Sequence, residues 1–176
     1  AMAPSNPDII YASITNKSDH TLLGLYKSSD AGATWALENS GSPVDYLSYG
    51  NNGTSGQGWY DHTMAVHPQN PNTVWTGGVD LYRTQDGGST FQEMSHWYGG
   101  YGYPYVHADQ HIITFPGSTA DTILVGNDGG IFRTINGGQT WQSLNNNLNI
   151  TQFYGGASVP GSLTFYGGTQ DNGTLK

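Results

Sequence analysis

An all-β chain of repeated four-stranded antiparallel blades is the fold this sequence predicts, on three observations. One octad occurs three times, as Ser28-Ser-Asp-Ala-Gly-Ala-Thr-Trp35, Thr84-Gln-Asp-Gly-Gly-Ser-Thr-Phe91 and Thr134-Ile-Asn-Gly-Gly-Gln-Thr-Trp141. Each copy follows a short run with an aromatic and a cation (Leu25-Tyr26-Lys27, Leu81-Tyr82-Arg83, Ile131-Phe132-Arg133), which reads as a strand. The copies recur regularly, with 56 residues from Asp30 to Asp86 and 50 from Asp86 to Asn136. That period suits a propeller blade, a unit that needs neighbours to cover both its faces.

The octad has a turn chemistry. Asp30, Asp86 or Asn136 accepts backbone N–H groups, Gly32, Gly88 or Gly138 supplies a positive φ, and Trp35, Phe91 or Trp141 packs back on the hairpin. Upstream, Asn6-Pro-Asp-Ile-Ile-Tyr-Ala-Ser-Ile14 reads as a turn and a strand, and the same unit returns at Asn70–Gly78, Thr119–Gly126 and Pro160–Gly168. Thr63–Pro68 and His111–Pro116 add a preceding strand ending in Pro. The full unit is strand A, a Pro-containing turn, strand B, a Gly/Asp loop, strand C, the octad and strand D.

These units place approximate blades at 5–45, 59–97, 107–147 and an incomplete 151–176, within a single segment over 5–176 that does not complete a ring. Residues 1–4 read as a cloning remnant or linker, and the first blade is expected to open on strand B. The missing partners are then further blades or a second copy of the chain, because open blade edges invite association.

Composition agrees with many short strands and excludes some partners. The chain has 176 residues, of which 10% are charged, with 26 Gly, 12 Tyr and 5 Trp. No helical apolar period exceeds two turns. The formal net charge is −8 with five Lys and Arg, which argues against nucleic acid or an anionic membrane surface as a partner. No apolar run is long enough to insert in a bilayer, no signal peptide is present, and there is no Cys.

Function is expected on the face that gathers the B–C loops and the D–A connections, residues 39–58 and 95–106. The carboxylates there are Asp61, Asp80, Asp109, Asp128 and Asp171. Asp80, Asp128 and Asp171 read as turn residues, as Ca²⁺ ligands or as acid and base flanking a glycosidic bond, which needs a separation of about 5 to 9.5 Å. His107-x-Asp109-x-His111 on an extended strand would aim two imidazoles and a carboxylate to one side, a divalent metal set; the plainer reading is an Asp bonded to loop N–H groups and histidines packed among tyrosines. Trp59, Tyr60, Trp97, Tyr101 and Tyr103 form an aromatic platform suited to sugar rings or to packing between blades.

The octads resemble the Asp-box, or BNR repeat, of β-propellers in sialidases, xyloglucanases, sortilin-type receptors and many secreted bacterial proteins. Gly56–Asp61, Val106–His111, Gly126–Gly130, Thr151–Tyr154 and Gly167–Gly173 extend the resemblance to large secreted sortilin-like or glycosyl-hydrolase-like bacterial propellers, over residues 5–175. The resemblance implies an extracellular bacterial protein whose Asp-boxes are structural and face away from the ligand. Some such propellers hydrolyse xyloglucan with two aspartates across a cleft, while others bind peptides. The xyloglucanase catalytic contexts match no position here, so that catalysis is not carried over. The expected function is a glycan- or protein-binding or scaffold module. Its rivals are a glycoside hydrolase subdomain, endo-glucanase or xyloglucanase-like, with acid and base among Asp61, Asp109, Asp128 and Asp171, and an assembly part that completes its propeller with another chain.

Overall fold

The computed structural model describes residues 1–51, 53–117, 119–148, 151–170 and 173–175. Its strands form four antiparallel sheets, each a meander in chain order. The first holds β1 (Met2–Ala3), β2 (Asn6–Thr15), β3 (Leu22–Ser28) and β4 (Ala36–Asn39); the second holds β5 (Thr63–Val66), β6 (Val74–Gly77), β7 (Leu81–Thr84) and β8 (Gln92–Glu93). The third holds β9 (Gln110–Thr114), β10 (Ile123–Asn127), β11 (Gly130–Thr134) and β12 (Gln142–Ser143). β13 (Phe153–Ser158), β14 (Phe165–Thr169) and β15 (Thr174–Leu175) make a three-stranded fourth sheet. Among the described residues the only helix is one 3₁₀ turn at Tyr49–Asn51.

The core lies between blades. Trp75, Leu81 and Met94 of the second sheet pack with Ile113, Ile123, Val125 and Phe132 of the third. Ala3, Tyr11 and Leu25 of the first sheet pack with Val66 and Val74 of the second. Strand alternation produces this: Val125 pairs with Ile113 on one side and Phe132 on the other, so one face of the sheet presents all three. Full burial of each aliphatic side chain, such as Leu25 or Ile123, stabilises by about 1.5–3 kcal/mol. The inner strands β1, β5 and β9 neighbour one another in that order, so the three sheets fan from a common side.

The first blade differs from its sequence reading. Met2–Ala3 pairs with β2, the terminal ammonium donates to the Tyr11 carbonyl at 2.8 Å, and Ala3 is buried in the core. The blade therefore starts at residue 2, with its own strand A.

The octads repeat one hydrogen-bond pattern. Ser28, Thr84 and Thr134 hydroxyls donate to Asp30, Asp86 and Asn136 at 2.7, 2.8 and 2.8 Å, and accept the N–H of Gly32, Gly88 and Gly138 at 2.8, 2.9 and 2.9 Å. The same side-chain oxygens accept the N–H of Thr34, Thr90 and Thr140. Where Asp30 and Asp86 accept the threonine hydroxyl at 2.6 Å, Asn136 instead donates its Nδ2 to Thr140, which keeps the bond by reversing it. Each turn also donates a backbone N–H, from Ala31, Gly87 or Gly137, to the A–B turn of its own blade at Asp8, Asn72 or Asp121, all at 2.9 Å.

The second and third octads also plug into the preceding blade. Gly88 sits against Leu25 and Glu38 of the first blade, and Gly138 against Trp75 and Met94 of the second. Trp141 meets Trp75 edge-on at 6.2 Å, whereas Trp35 is 44% exposed and only donates Nε1 to the Gly32 carbonyl. Trp35 departs from the expected buried anchor because, among the described residues, no blade lies on that side. The cations before the octads tie blades together: Lys27 donates to Asn72 and Arg83 to the Gly137 carbonyl.

Gly138 has φ +88°, and a Cβ there would stand 2.4 Å from the Trp75 ring. Gly138→Ala should lower unfolding free energy by about 2 kcal/mol or more in urea titration, while Gly99→Ala, with nothing nearby, should stay within about 0.5 kcal/mol. Equal effects at the two positions would contradict the plug.

Candidate functional site

The β4–β5 and β8–β9 connections meet at the rim where β6 turns into β7. The β8–β9 connection is tied to that turn by Gln110, a fully buried side chain whose Nε2 donates to the Val79 and His107 carbonyls and whose Oε1 accepts from Asn127. Its own N–H donates to the Gly78 carbonyl, and the Asp109 N–H donates to that of Val79. A cleft of about 380 Å³ results, with walls of Tyr49, Trp97, Tyr98 and Tyr105 and a floor that includes Gln57 and Asp109.

Below the floor lies a pair of carboxyl groups. Gln57 donates its amide Nε2 to Asp61 Oδ2 at 2.8 Å and to Asp109 Oδ1, while its Oε1 accepts the Tyr49 hydroxyl at 2.7 Å. Asp61 is wholly buried, and its Oδ1 receives no hydrogen bond. Burial pushes the Asp61 carboxyl up to about 8; the Gln57 amide pulls it down, and the Asp109 charge and a hydrogen bond with the Asp109 side chain raise it again. A proton held on Asp61 provides the donor that this side chain otherwise lacks. Asp109 adopts φ +65°, the left-handed region that Asp tolerates better than most residues, and this bend directs it to Gln57.

That bend separates the proposed metal triplet. β9 begins at Gln110, so His107, Asp109 and His111 do not share one side of an extended strand. His107 packs on Gly129, Asp109 joins Gln57, and His111 Nε2 meets Asp128 Oδ1 at 2.7 Å. The reason is local: a left-handed residue breaks the alternation that the pattern assumed. Asp128 also accepts the Tyr60 hydroxyl on both oxygens, at 3.0 and 2.8 Å, and Tyr60 stacks edge-on with His111 at 5.0 Å.

Of the aromatic platform, Trp97 lines the cleft together with Asp109. Trp59 and Tyr60 form a neighbouring pair at 5.5 Å, Tyr101 stacks on His96, and Tyr103 lines a side groove with Gly137 and Gly138. The rim carboxylates thus divide into Asp61 with Asp109, Asp128 with His111, and Asp80 apart; Asp171 lies outside the described residues. Asp80 accepts the Trp97 N–H at 2.7 Å. Burial pushes its carboxyl up to about 7, against that bond and with the help of the Glu93 and Asp109 charges.

Gln57, Gln110 and Asp45 were not singled out from sequence. Asp45 is buried and accepts the N–H groups of Leu22 and Leu47, which anchors the β4–β5 connection. Inside a Gly/Ser/Asn-rich stretch, Asp45 and Gln57 carry no local signal for their bonds to Leu22 and Asp109, which lie 23 and 52 residues away.

Asp61 and Asp80 have raised folded values, so the stability they contribute is complete below about pH 4 and is lost as pH rises through about 7 to 8. Asp30 and Asp86 are held down to about 2: hydrogen bonds from Thr34 and Ser28 lower Asp30, and bonds from Thr90 and Thr84 outweigh burial at Asp86. Their contribution is present above about pH 4 and is lost as pH falls toward 2. The urea midpoint should therefore peak near about pH 4 to 5 and fall toward pH 8, with a shallower fall in Asp61→Asn. A midpoint that rises from pH 5 to 8 would contradict the buried acids.

No family model matches the chain. A xyloglucanase of Hypocrea jecorina (strain QM6a) is 33% identical over 101 residues, which is 54% of this chain and 11% of that protein. The GH74 enzyme of Niastella koreensis superposes with a TM-score of 0.58 at 18% identity, over 97% of this chain and 25% of that one. The GH74 xyloglucanase of Xanthomonas campestris superposes with a TM-score of 0.59 at 15% identity, over 97% and 26%. The chain thus spans about a tenth of the curated relative and about a quarter of the solved ones. These likenesses establish an all-β propeller segment with open blades, similar in fold to parts of GH74 enzymes.

Proposed function

We propose that this segment carries a glycan-binding cleft and one acidic group of a glycoside hydrolase propeller that acts on a β-glucan backbone such as xyloglucan. The observation that supports it most is the Asp61–Gln57–Asp109 cluster at the foot of an aromatic-walled cleft. Flat rings of Trp97, Tyr98 and Tyr105 suit the apolar faces of successive sugars, and a buried carboxyl that keeps its proton near neutral pH is the kind of group that protonates a leaving oxygen. Asp109 faces the substrate, and Asp61 holds and returns the proton from behind. The likeness to xyloglucanases leads in the same direction.

Asp61 and Asp109 accept from one and the same Gln57 Nε2, so their bonded oxygens stand at or below the short end of the roughly 5 to 9.5 Å between the two carboxylates that flank a glycosidic bond. They act as one acid, and the second carboxylate belongs to blades beyond this segment. Taken alone, the segment is then a binding module that retains glycan without cleaving it, the second reading that this spacing favours. In this account the octads are structural Asp-boxes, the parent protein is secreted, and the partners are the remaining blades.

Affinity electrophoresis in xyloglucan gels, with reducing-sugar release in parallel, tests this. The wild-type chain should be retarded, Trp97→Ala should weaken binding about tenfold, equivalent to ~1.4 kcal/mol, and Asp109→Asn should bind within about threefold of wild type. Where the full propeller turns over substrate, Asp109→Asn should abolish turnover. A chain that migrates freely through xyloglucan, cello-oligosaccharide and mixed-linkage glucan gels would overturn the reading.

A further inference from the structure

A second group of side chains stands behind the Trp97 wall. One ligand atom each from Asp80, Glu93 and His96 lies within 4.8 Å of the others. Asp80 closes the β6–β7 turn, Glu93 ends β8, and His96 opens the aromatic connection, so three consecutive elements of one blade converge there. We propose that Asp80, Glu93 and His96 form a binding site for a divalent transition-metal cation, with Zn²⁺ as the best-suited ion.

Four observations carry this. First, Glu93 Oε1 is sealed from solvent and receives no hydrogen bond, an acceptor that a cation would satisfy. Second, Asp80, 8% exposed, and Glu93 have no Lys or Arg within ion-pair distance: the Arg83 terminal nitrogens donate to Gln92 and the Gly137 carbonyl, and among the described residues the ion pair within 4.0 Å is His111 with Asp128. Third, the donors, within 4.8 Å of one another, stand close to the separation of at most about 4.4 Å that metal bonds of about 2.0–2.2 Å impose, so small side-chain rotations bring them onto one ion. Fourth, the His96 ring is oriented in advance: its Nδ1 lies 2.9 Å from the Tyr98 carbonyl oxygen and accepts the Tyr98 N–H at 3.0 Å in the other tautomer, and the ring stacks on Tyr101 at 4.5 Å. Nε2 can act as a ligand in the tautomer whose Nδ1–H donates to that carbonyl, the form that a bound ion would select over the one that accepts the Tyr98 N–H.

Two carboxylates neutralise a dication, and one imidazole selects against Ca²⁺, which takes six to eight oxygens. Entry is through the side groove lined by Glu93, Met94 and Tyr103. Because Asp80 also accepts the Trp97 N–H, a bound ion would tie the β6–β7 turn, β8 and the cleft wall into one unit. The site shares no ligand with the acid pair, and ion binding requires no glycan.

Calorimetric titration of EDTA-treated chain with ZnSO₄, with X-ray absorption of the loaded wild-type protein, decides it. The expected result is one equivalent bound, a rise in Tm with Zn²⁺ but not with equal Ca²⁺, and a shell of one imidazole with oxygen donors. Glu93→Gln and His96→Ala should each weaken binding at least about tenfold. No saturable binding, a preference for Ca²⁺, affinity unchanged in both variants, or a shell with two or more imidazoles would overturn the proposal; the absorption result needs no variant to fold.

Discussion

A four-stranded blade that is apolar on both faces cannot stand alone in water, and this constraint governs the structure. The buried residues of the chain lie between sheets: Trp75 is covered by the turn and aromatic of the next octad, and Leu25 by Gly88. The octad therefore has two tasks, to close its own hairpin through Asp30, Asp86 or Asn136 and to present a surface without a Cβ to the neighbouring blade. Where no neighbour is described, as at Trp35 and along β13, apolar side chains remain exposed.

The same packing generates the rim chemistry. Stacked blades put the connection that enters the second blade beside the connection that enters the third, and Gln57 reaches across to Asp109. Asp61 is dehydrated by that closure and keeps its proton, while Asp30 and Asp86 on the turns stay open and strongly acidic. Aspartates of one chain thus span from about 2 to about 8 according to whether they face turn N–H groups or a closed interior.

The blades were legible in the sequence because octads, strand runs and Pro turns are local patterns of fixed spacing. Met2–Ala3 is the exception, since two residues of strand are too short to register against a flexible-looking start. The rim was legible as a region but not as a constellation. Trp97, Asp61 and Asp109 were named, but Gln57 and Gln110 act through partners far along the chain, and the left-handed φ of Asp109 dissolved a metal pattern that depends on strand alternation. Glu93 and His96 carry no motif at all; a two-residue strand and a stacked ring bring them to Asp80.

The central claim is that blade packing seals Asp61 against Asp109 so that the pair holds a proton into the neutral range. Carbon-13 NMR of side-chain carboxyls in an aspartate-labelled chain, followed from pH 3 to 9, reads this directly. The account predicts one resonance, assigned to Asp61, that titrates near pH 8, where the burial and the Asp109 charge place it. An Asp61 resonance that titrates with the ordinary aspartates near pH 4 would show an open, hydrated rim and contradict the account.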